Sequence, residues 1–258
     1  MRVQILPSSF SGDADVSQQQ RLTTFVVNDA VAFDAGSLAF GCDDRQRSSV
    51  RDIVISHTHL DHIAGLPIFI DDLFATVEGP IRVHAARQMI DVLEEHVFNW
   101  KVYPRFSELS NKNGKVLEYV EYEFGRTFKI GTLLTTAIEV DHLPPSAGFI
   151  VSDSGTAIGI SGDTSQTDEF WTAVSAVEGP AAIFVECAFP DEFSELAKVS
   201  HHLTPRSLAA ELSKFDTRHS TVYVSNIKAM YRHTVIEELM ALGIKNLKIA
   251  EIGKVYEI

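Results

Sequence analysis

Apolar positions along the chain fall mostly into short runs rich in Val, Ile and Phe. Runs of this kind, closed by Gly, Asp, Ser or Asn, predict strands. They recur as VQIL (3–6), TTFVVN (23–28), AVAFDAG (30–36), DIVIS (52–56), IRVHA (81–85), LLTTAIEV (133–140), AGFIVS (147–152), TAIGISGD (156–163), AAIFVEC (181–187), TVYVSN (221–226) and LKIAEIG (247–253). Helical spacing shows in three places. Segment 84–98 aligns Met89, Ile90, Leu93 and Val97; segment 205–215 opens with Thr204 as N-cap and Pro205 at the first helical position; segment 232–242 repeats the pattern. Segment 99–125 has Trp100, Tyr103, Pro104 and Phe106 but weak periodicity, which fits either a loop over a site or an edge strand with its connections. Strands come in runs with helices between the runs. That order predicts an α/β protein of two packed sheets with outer helices, rather than one doubly wound parallel sheet.

Composition changes this picture little. The 258 residues are 45% hydrophobic and show no repeat or linker, so one domain over 1–258 is expected. Charge excludes more. A net charge of −13 repels nucleic-acid phosphates at long range, so no nucleic-acid partner is expected. Cys42 and Cys187 belong to no CxxC pair and read as small apolar fillers. The N-terminus has no long apolar run, and nothing approaches a membrane span; the expectation is a cytoplasmic protein without a membrane partner.

The candidate chemistry sits in IVISHTHLDHIAG (53–65). His57 and His59 are two apart, so in extended chain they point the same way. Asp61 and His62 follow where the chain turns into a helix, which lets them converge on a second nearby point. Imidazole and carboxylate are ligands that zinc, iron and manganese favour, and two such points suit a two-metal centre.

HTHLDH matches the HxHxDH motif, and the chain here resembles the metallo-β-lactamase superfamily. Further segments carry the resemblance in order: VAFDAGS (31–37), VDHLPPSAGFIV (140–151), GISGDT (159–164), and VECAFPDE (185–192) followed by SHHLTP (200–205). The last block and HTHLDHIAGL are similar to class II 3′,5′-cyclic-nucleotide phosphodiesterases and, more distantly, to tRNA 3′-processing zinc phosphodiesterases. The resemblance implies a four-layer αββα sandwich of two mixed sheets. It implies two divalent metals, zinc first, with manganese or iron as alternatives. One metal falls to His57, His59 and His142, the other to Asp61 and His62, with Asp163 bridging. His142 and Asp163 both follow apolar strands, where loops build sites. A last histidine is expected after TVYVS, and Asn226 stands there instead. An amide oxygen binds zinc-like ions more weakly than imidazole, so the expectation for the second metal is a weaker, labile or harder ion (manganese or magnesium), or none; hydrogen bonding to a neighbouring ligand is the other role open to Asn226.

The same resemblance makes His202 a proton donor near the leaving group, a role that suits a group titrating near neutrality. Glu186 ends a strand and is placed to orient it. His201 has no assigned role. Asp34 reads as a residue beneath the site. Ser146 and Thr164 are candidates to reach phosphate oxygens, or are structural. His84, His96 and His219 read as structural or exposed, His233 as a weak substitute ligand, and the acidic pairs 71–72 and 94–95 as solvated. The implied activity is metal-dependent hydrolysis of a small phosphodiester, most of all a 3′,5′-cyclic nucleotide such as cAMP, with Asp61 and His202 in the catalytic machinery. Rivals are tRNA 3′-end processing, lactone or sulfate-ester hydrolysis, and a non-catalytic sensor that kept the fold. A homodimer is a family-level expectation.

Overall fold

The computed structural model describes residues 1–10, 15–177 and 179–258. The chain forms two compact units, one from 1–17, 22–123 and 252–257, the other from 18–21, 124–251 and 258.

The first unit is built on β1 (Arg2–Ile5), β2 (Phe25–Val27), β3 (Val31–Phe33), β4 (Asp52–Val54), β5 (Ile81–Ala85), β8 (Leu117–Glu121) and the C-terminal strand β16 (Val255–Glu257). A two-residue hairpin, β6 (Ser110–Asn111) with β7 (Gly114–Lys115), lies outside that sheet. The sheet order is β16-β1-β2-β3-β4-β5-β8. Pairing is antiparallel from β16 to β3 and parallel from β3 to β8. Its helices are α1 (Leu38–Gly41), α2 (Asp44–Ser49), α3 (Leu60–Ile63), α4 (Leu66–Leu73) and α5 (Arg87–Val92). Phe33, Phe69, Phe98, Phe106, Ile53 and Ile55 are fully buried there.

The second unit repeats the plan. Its strands are β9 (Thr127–Ile130), β10 (Leu133–Val140), β11 (Ser146–Asp153), β12 (Thr156–Ile160), β13 (Ala182–Glu186), β14 (Thr221–Ser225) and β15 (Leu247–Ile249), paired in that order. Again pairing is antiparallel up to β12 and parallel beyond it. Its helices are α6 (Asp168–Ala176), α7 (Ser194–Val199), α8 (Pro205–Leu212) and α9 (Arg232–Ala241). Phe170, Trp171, Val174, Leu208, Leu212, Val235 and Leu239 from the helices pack with Ile183, Val185, Val222 and Val224 from the parallel strands. Buried Glu211 ties α8 to α6, accepting from Trp171 Nε1 and Thr167 N–H at 2.9 Å each.

Both mixed sheets and every strand run read from the sequence are present. Thr204 caps α8 with a reciprocal capping box and Pro205 opens the helix, as the sequence predicts. Segment 99–125 resolves into the hairpin and the edge strand β8. Two expectations need correction, the start of the helix and Glu94, and of the two readings open for His84 the structural one holds. Residues 84–85 close β5, and the helix begins only at Arg87, continuing as a π-turn over Leu93–Val97. His84 is buried because Asp52 takes its Nε2 at 2.8 Å, while Arg82 binds the same carboxylate. Glu94 is not a solvated charge; it pairs with Arg105 and accepts from Ser107. Among the described residues no helix is long and apolar enough to cross a membrane.

Candidate functional site

The chemistry-bearing residues gather at the C-terminal ends of strands in each unit. In the first unit β4 ends at Val54 and hands the chain to Ser56, His57 and His59, and α3 then carries Asp61 and His62. His57 and His62 are buried; His59 is exposed. Their rings cluster, His57 lying 4.1 Å from His62 and 4.8 Å from His59 between centroids.

Asp34, just past β3, organises this cluster. Its Oδ2 accepts from His62 Nδ1–H at 2.7 Å and from the Ser56 hydroxyl at 2.7 Å; its Oδ1 accepts from Ser56 N–H at 2.8 Å. Because the only Ser56 hydroxyl proton goes to the carboxylate, His57 Nδ1–H must donate to Ser56 Oγ, 3.0 Å away. One aspartate therefore fixes the tautomer of two imidazoles, and in both Nε2 is the ring atom left for coordination. This is how metal-binding histidines are usually held. Asp34 sits at φ 60°, a conformation aspartate tolerates. Gly36 is required by close approach: a Cβ there would lie 1.8 Å from the Asp61 carbonyl oxygen, which itself accepts from Thr23 N–H.

In the second unit His142 follows β10, Asp163 follows β12, Glu186 closes β13 and Asn226 follows β14. Gly162, at φ 63°, turns the chain that presents Asp163. His142, Asp163, Glu186, His202 and Asn226 are all buried. One coordinating atom from each of His142, Asp163 and His202 lies within 4.8 Å of the others, a spacing that could hold a metal ion. His142 Nδ1–H donates to the His201 carbonyl at 2.9 Å, so this ring too offers Nε2. The donor set and the fixed tautomers in both units thus fit a divalent ion of the zinc type.

His202 Nδ1–H donates to Glu186 Oε1 at 2.7 Å. Burial pushes the Glu186 carboxyl up, against the pull of His202. Burial also pulls the His202 imidazole down, but the Glu186 charge and hydrogen bond outweigh it and the net direction is upward. Glu186 is further pinned by N–H groups of Thr164, Ala188 and Leu203. Beside His202 opens a cavity of 510 Å³ whose polar wall includes Asp141, Ser165, Gln166, Lys198 and His201.

Asn226 donates through Nδ2 to Asp163 Oδ1 at 2.6 Å, and Gln20 Oε1 accepts its backbone N–H at 2.9 Å. Ser146 and Thr164 are spent locally, their hydroxyls donating to the carbonyls of Pro144 and Ser165. His233 is exposed on α9 and pairs with Glu237. Sequence reasoning missed Ser56, the His201 carbonyl and Gln20. Ser56 was visible beside His57; Gln20 lies 206 residues from Asn226 and left no signal.

Seven-stranded mixed sheets with histidines and aspartates at the strand ends are the mark of metal-dependent hydrolases of the metallo-β-lactamase type. Residues 29–223 match the family model described as a beta-lactamase superfamily domain, and the chain belongs to the metallo-β-lactamase superfamily. Two curated relatives are similar to it. A probable 3′,5′-cyclic-nucleotide phosphodiesterase of Yersinia pestis is 26% identical over 187 residues, 66% of this chain and 52% of the relative. The 3′,5′-cyclic-nucleotide phosphodiesterase 1 of Saccharomyces cerevisiae is 28% identical over 229 residues, 75% of this chain and 62% of the relative. The matched region thus spans between half and two thirds of either relative's length. Among solved structures, unliganded yeast PDE1 superposes with a TM-score of 0.78 at 18% identity, covering 100% of this chain and 99% of that one. The short form of human tRNase Z gives 0.67 at 18% identity, covering 100% and 99%. At such identities the superpositions speak for the fold alone.

Proposed function

We propose that the protein is a metal-dependent phosphodiesterase acting on a small phosphodiester, with a 3′,5′-cyclic nucleotide such as cAMP as its substrate. The observation that carries the reading is the buried His202–Glu186 pair, set between metal-competent donors and an open cavity. The names of the two curated relatives support the substrate class. A charge of −13 suits a small substrate better than RNA. The reading takes 1–258 as one functional metallo-hydrolase domain acting as a cytoplasmic enzyme, with a homodimer as the family-level assembly.

By the motifs alone, His57, His59 and His142 would hold one zinc-like ion and Asp61 and His62 the other, and Asp163 would be a ligand to both. Manganese or iron would suit the same donors. Asn226 anchors Asp163 through its amide nitrogen, and an amide oxygen in place of an imidazole would hold a second ion weakly. Bound metal would supply Lewis-acid activation and bring the pKa of a water down to about 7. As the water oxygen bonds to phosphorus, the bond to the leaving oxygen breaks and that oxygen takes the proton from His202. Glu186 keeps the imidazole aimed and favours its protonated form. The Nδ1–H bond to Glu186 leaves Nε2 as the ring atom that would hand over the proton. The cavity beside His202 receives the leaving alcohol.

The test joins metal content of the purified protein to turnover of cAMP and of bis(p-nitrophenyl) phosphate. Metal binding with turnover of both is the expected result. Metal binding with no turnover under any divalent ion would leave the sensor reading in its place.

A further inference from the structure

Helix α7 ends in a Schellman turn. His202 N–H bonds the Ala197 carbonyl at 2.8 Å and His201 N–H bonds the Lys198 carbonyl at 3.3 Å. The left-handed position of that turn belongs to His201, at φ 53°. Glycine is the usual residue there, because a Cβ is strained in this region. Non-glycine residues held in such conformations cluster where the surrounding atoms are used. Here both parts of His201 are used. Its carbonyl accepts from His142 Nδ1–H at 2.9 Å, and its ring Nδ1–H donates to Asp141 Oδ1 at 2.9 Å. Asp141 and His142 are neighbours just past β10, and Ser165 N–H holds the Asp141 carbonyl at 2.8 Å. The residue after His201 is His202, bound to Glu186.

We propose that His201 is a positioning residue: its ring and its left-handed carbonyl clamp the Asp141–His142 segment, so that one turn sets the orientation of both His142 and His202. The turn bond from His202 N–H to Ala197 holds the 201–202 peptide from the helix side, and the ring bond to Asp141 ties it to the segment that carries His142, so the carbonyl and the ring it fixes stay in register. As a stability element the pair contributes little, since the Asp141 and His201 side chains are 52% and 29% exposed. Its work is orientation. The inference rests on the metal-dependent reading above.

Zinc binding to the metal-free protein is measured by calorimetry for the wild type, His201→Gly, Asp141→Ala, Asp141→Asn and the control His142→Ala, and each is melted. His201→Gly keeps the turn and the carbonyl and gives α7 its preferred end, so its melting temperature does not fall. The tighter zinc site weakens about tenfold in His201→Gly and Asp141→Ala, while Asp141→Asn, which keeps an oxygen acceptor, stays within about threefold of wild type. Turnover falls more for an alkoxide leaving group than for p-nitrophenolate, which needs no proton. Unchanged zinc affinity in His201→Gly and Asp141→Ala, with the wild type binding and His142→Ala impaired, overturns the clamp and leaves the metal reading standing. A parallel drop in melting temperature and affinity in His201→Gly makes the residue merely structural and also overturns it. A wild type that binds no zinc removes the reading beneath.

Discussion

Asp34 and Asp163 stand at the same point of two similar strand plans. Each lies just past the strand at which its sheet changes from antiparallel to parallel pairing, β3 in one unit and β12 in the other. Both are buried. Their surroundings divide them. Asp34 takes three hydrogen bonds from Ser56 and His62, and so acts on histidines supplied by one short stretch of chain. Asp163 accepts from Asn226 and lies 4.0 Å from the His202 ring nitrogen, among groups from four separate strand ends. Strand position makes a buried carboxylate at the C-terminal end of a central strand. Neighbours decide whether it orients imidazoles, as Asp34 does, or is left among groups that could hold a metal, as Asp163 is.

The comparison can be broken most forcefully at His202, the proposed proton donor. His202→Ala should lower kcat for cAMP by about 10²–10⁴-fold, the range for losing a general acid, with zinc content unchanged. A loss of zinc instead would make His202 a ligand alongside His142 and Asp163. Next comes the organiser: Asp34→Ala should weaken zinc binding about 10–100-fold by freeing the His57 and His62 rings, as read by equilibrium dialysis. Indifference of zinc affinity to that change would put Asp34 on a par with any turn residue.

A third carboxylate separates stability from function in the same strand. Asp52, at the start of β4, is resisted by burial but drawn down to about 2 by His84 and Arg82. Its folded pKa lies below the unfolded value, so its contribution is full above the ordinary carboxylate range and is lost as pH falls toward 2. That contribution is roughly 2 kcal/mol, and urea melts of wild type and Asp52→Asn should converge near pH 2. Curves that stay parallel down to pH 2 would disprove it. The smallest effect is expected at Asn226. Asn226→His should tighten the weaker metal about tenfold, since imidazole outbids an amide for zinc-like ions. Two equally tight metals in the wild type would show that the amide costs the site nothing.

Legibility in the sequence followed locality. HTHLDH was readable because four ligand-type residues lie within one strand-to-helix turn, and the relay through Ser56 needs only that turn and the Asp-Gly turn after β3. The second unit's cluster was readable only through the order of motifs, since Asp163, Glu186 and His202 are separated by whole helices. His201 left no mark at all: its role depends on a backbone conformation that its residue type does not advertise.

By itself, then, the chain determined its strands, the capped helix α8 and the identity of the metal-type donors, because alternation, capping and ligand chemistry act over a few residues. Tertiary structure alone decided which ring nitrogen each histidine offers, that Asn226 gives its amide proton to Asp163, and that N–H groups of Thr164, Ala188 and Leu203 pin Glu186 behind His202. Those are hydrogen bonds between strand ends far apart in sequence, and their partners exist only once the parallel strands are in register.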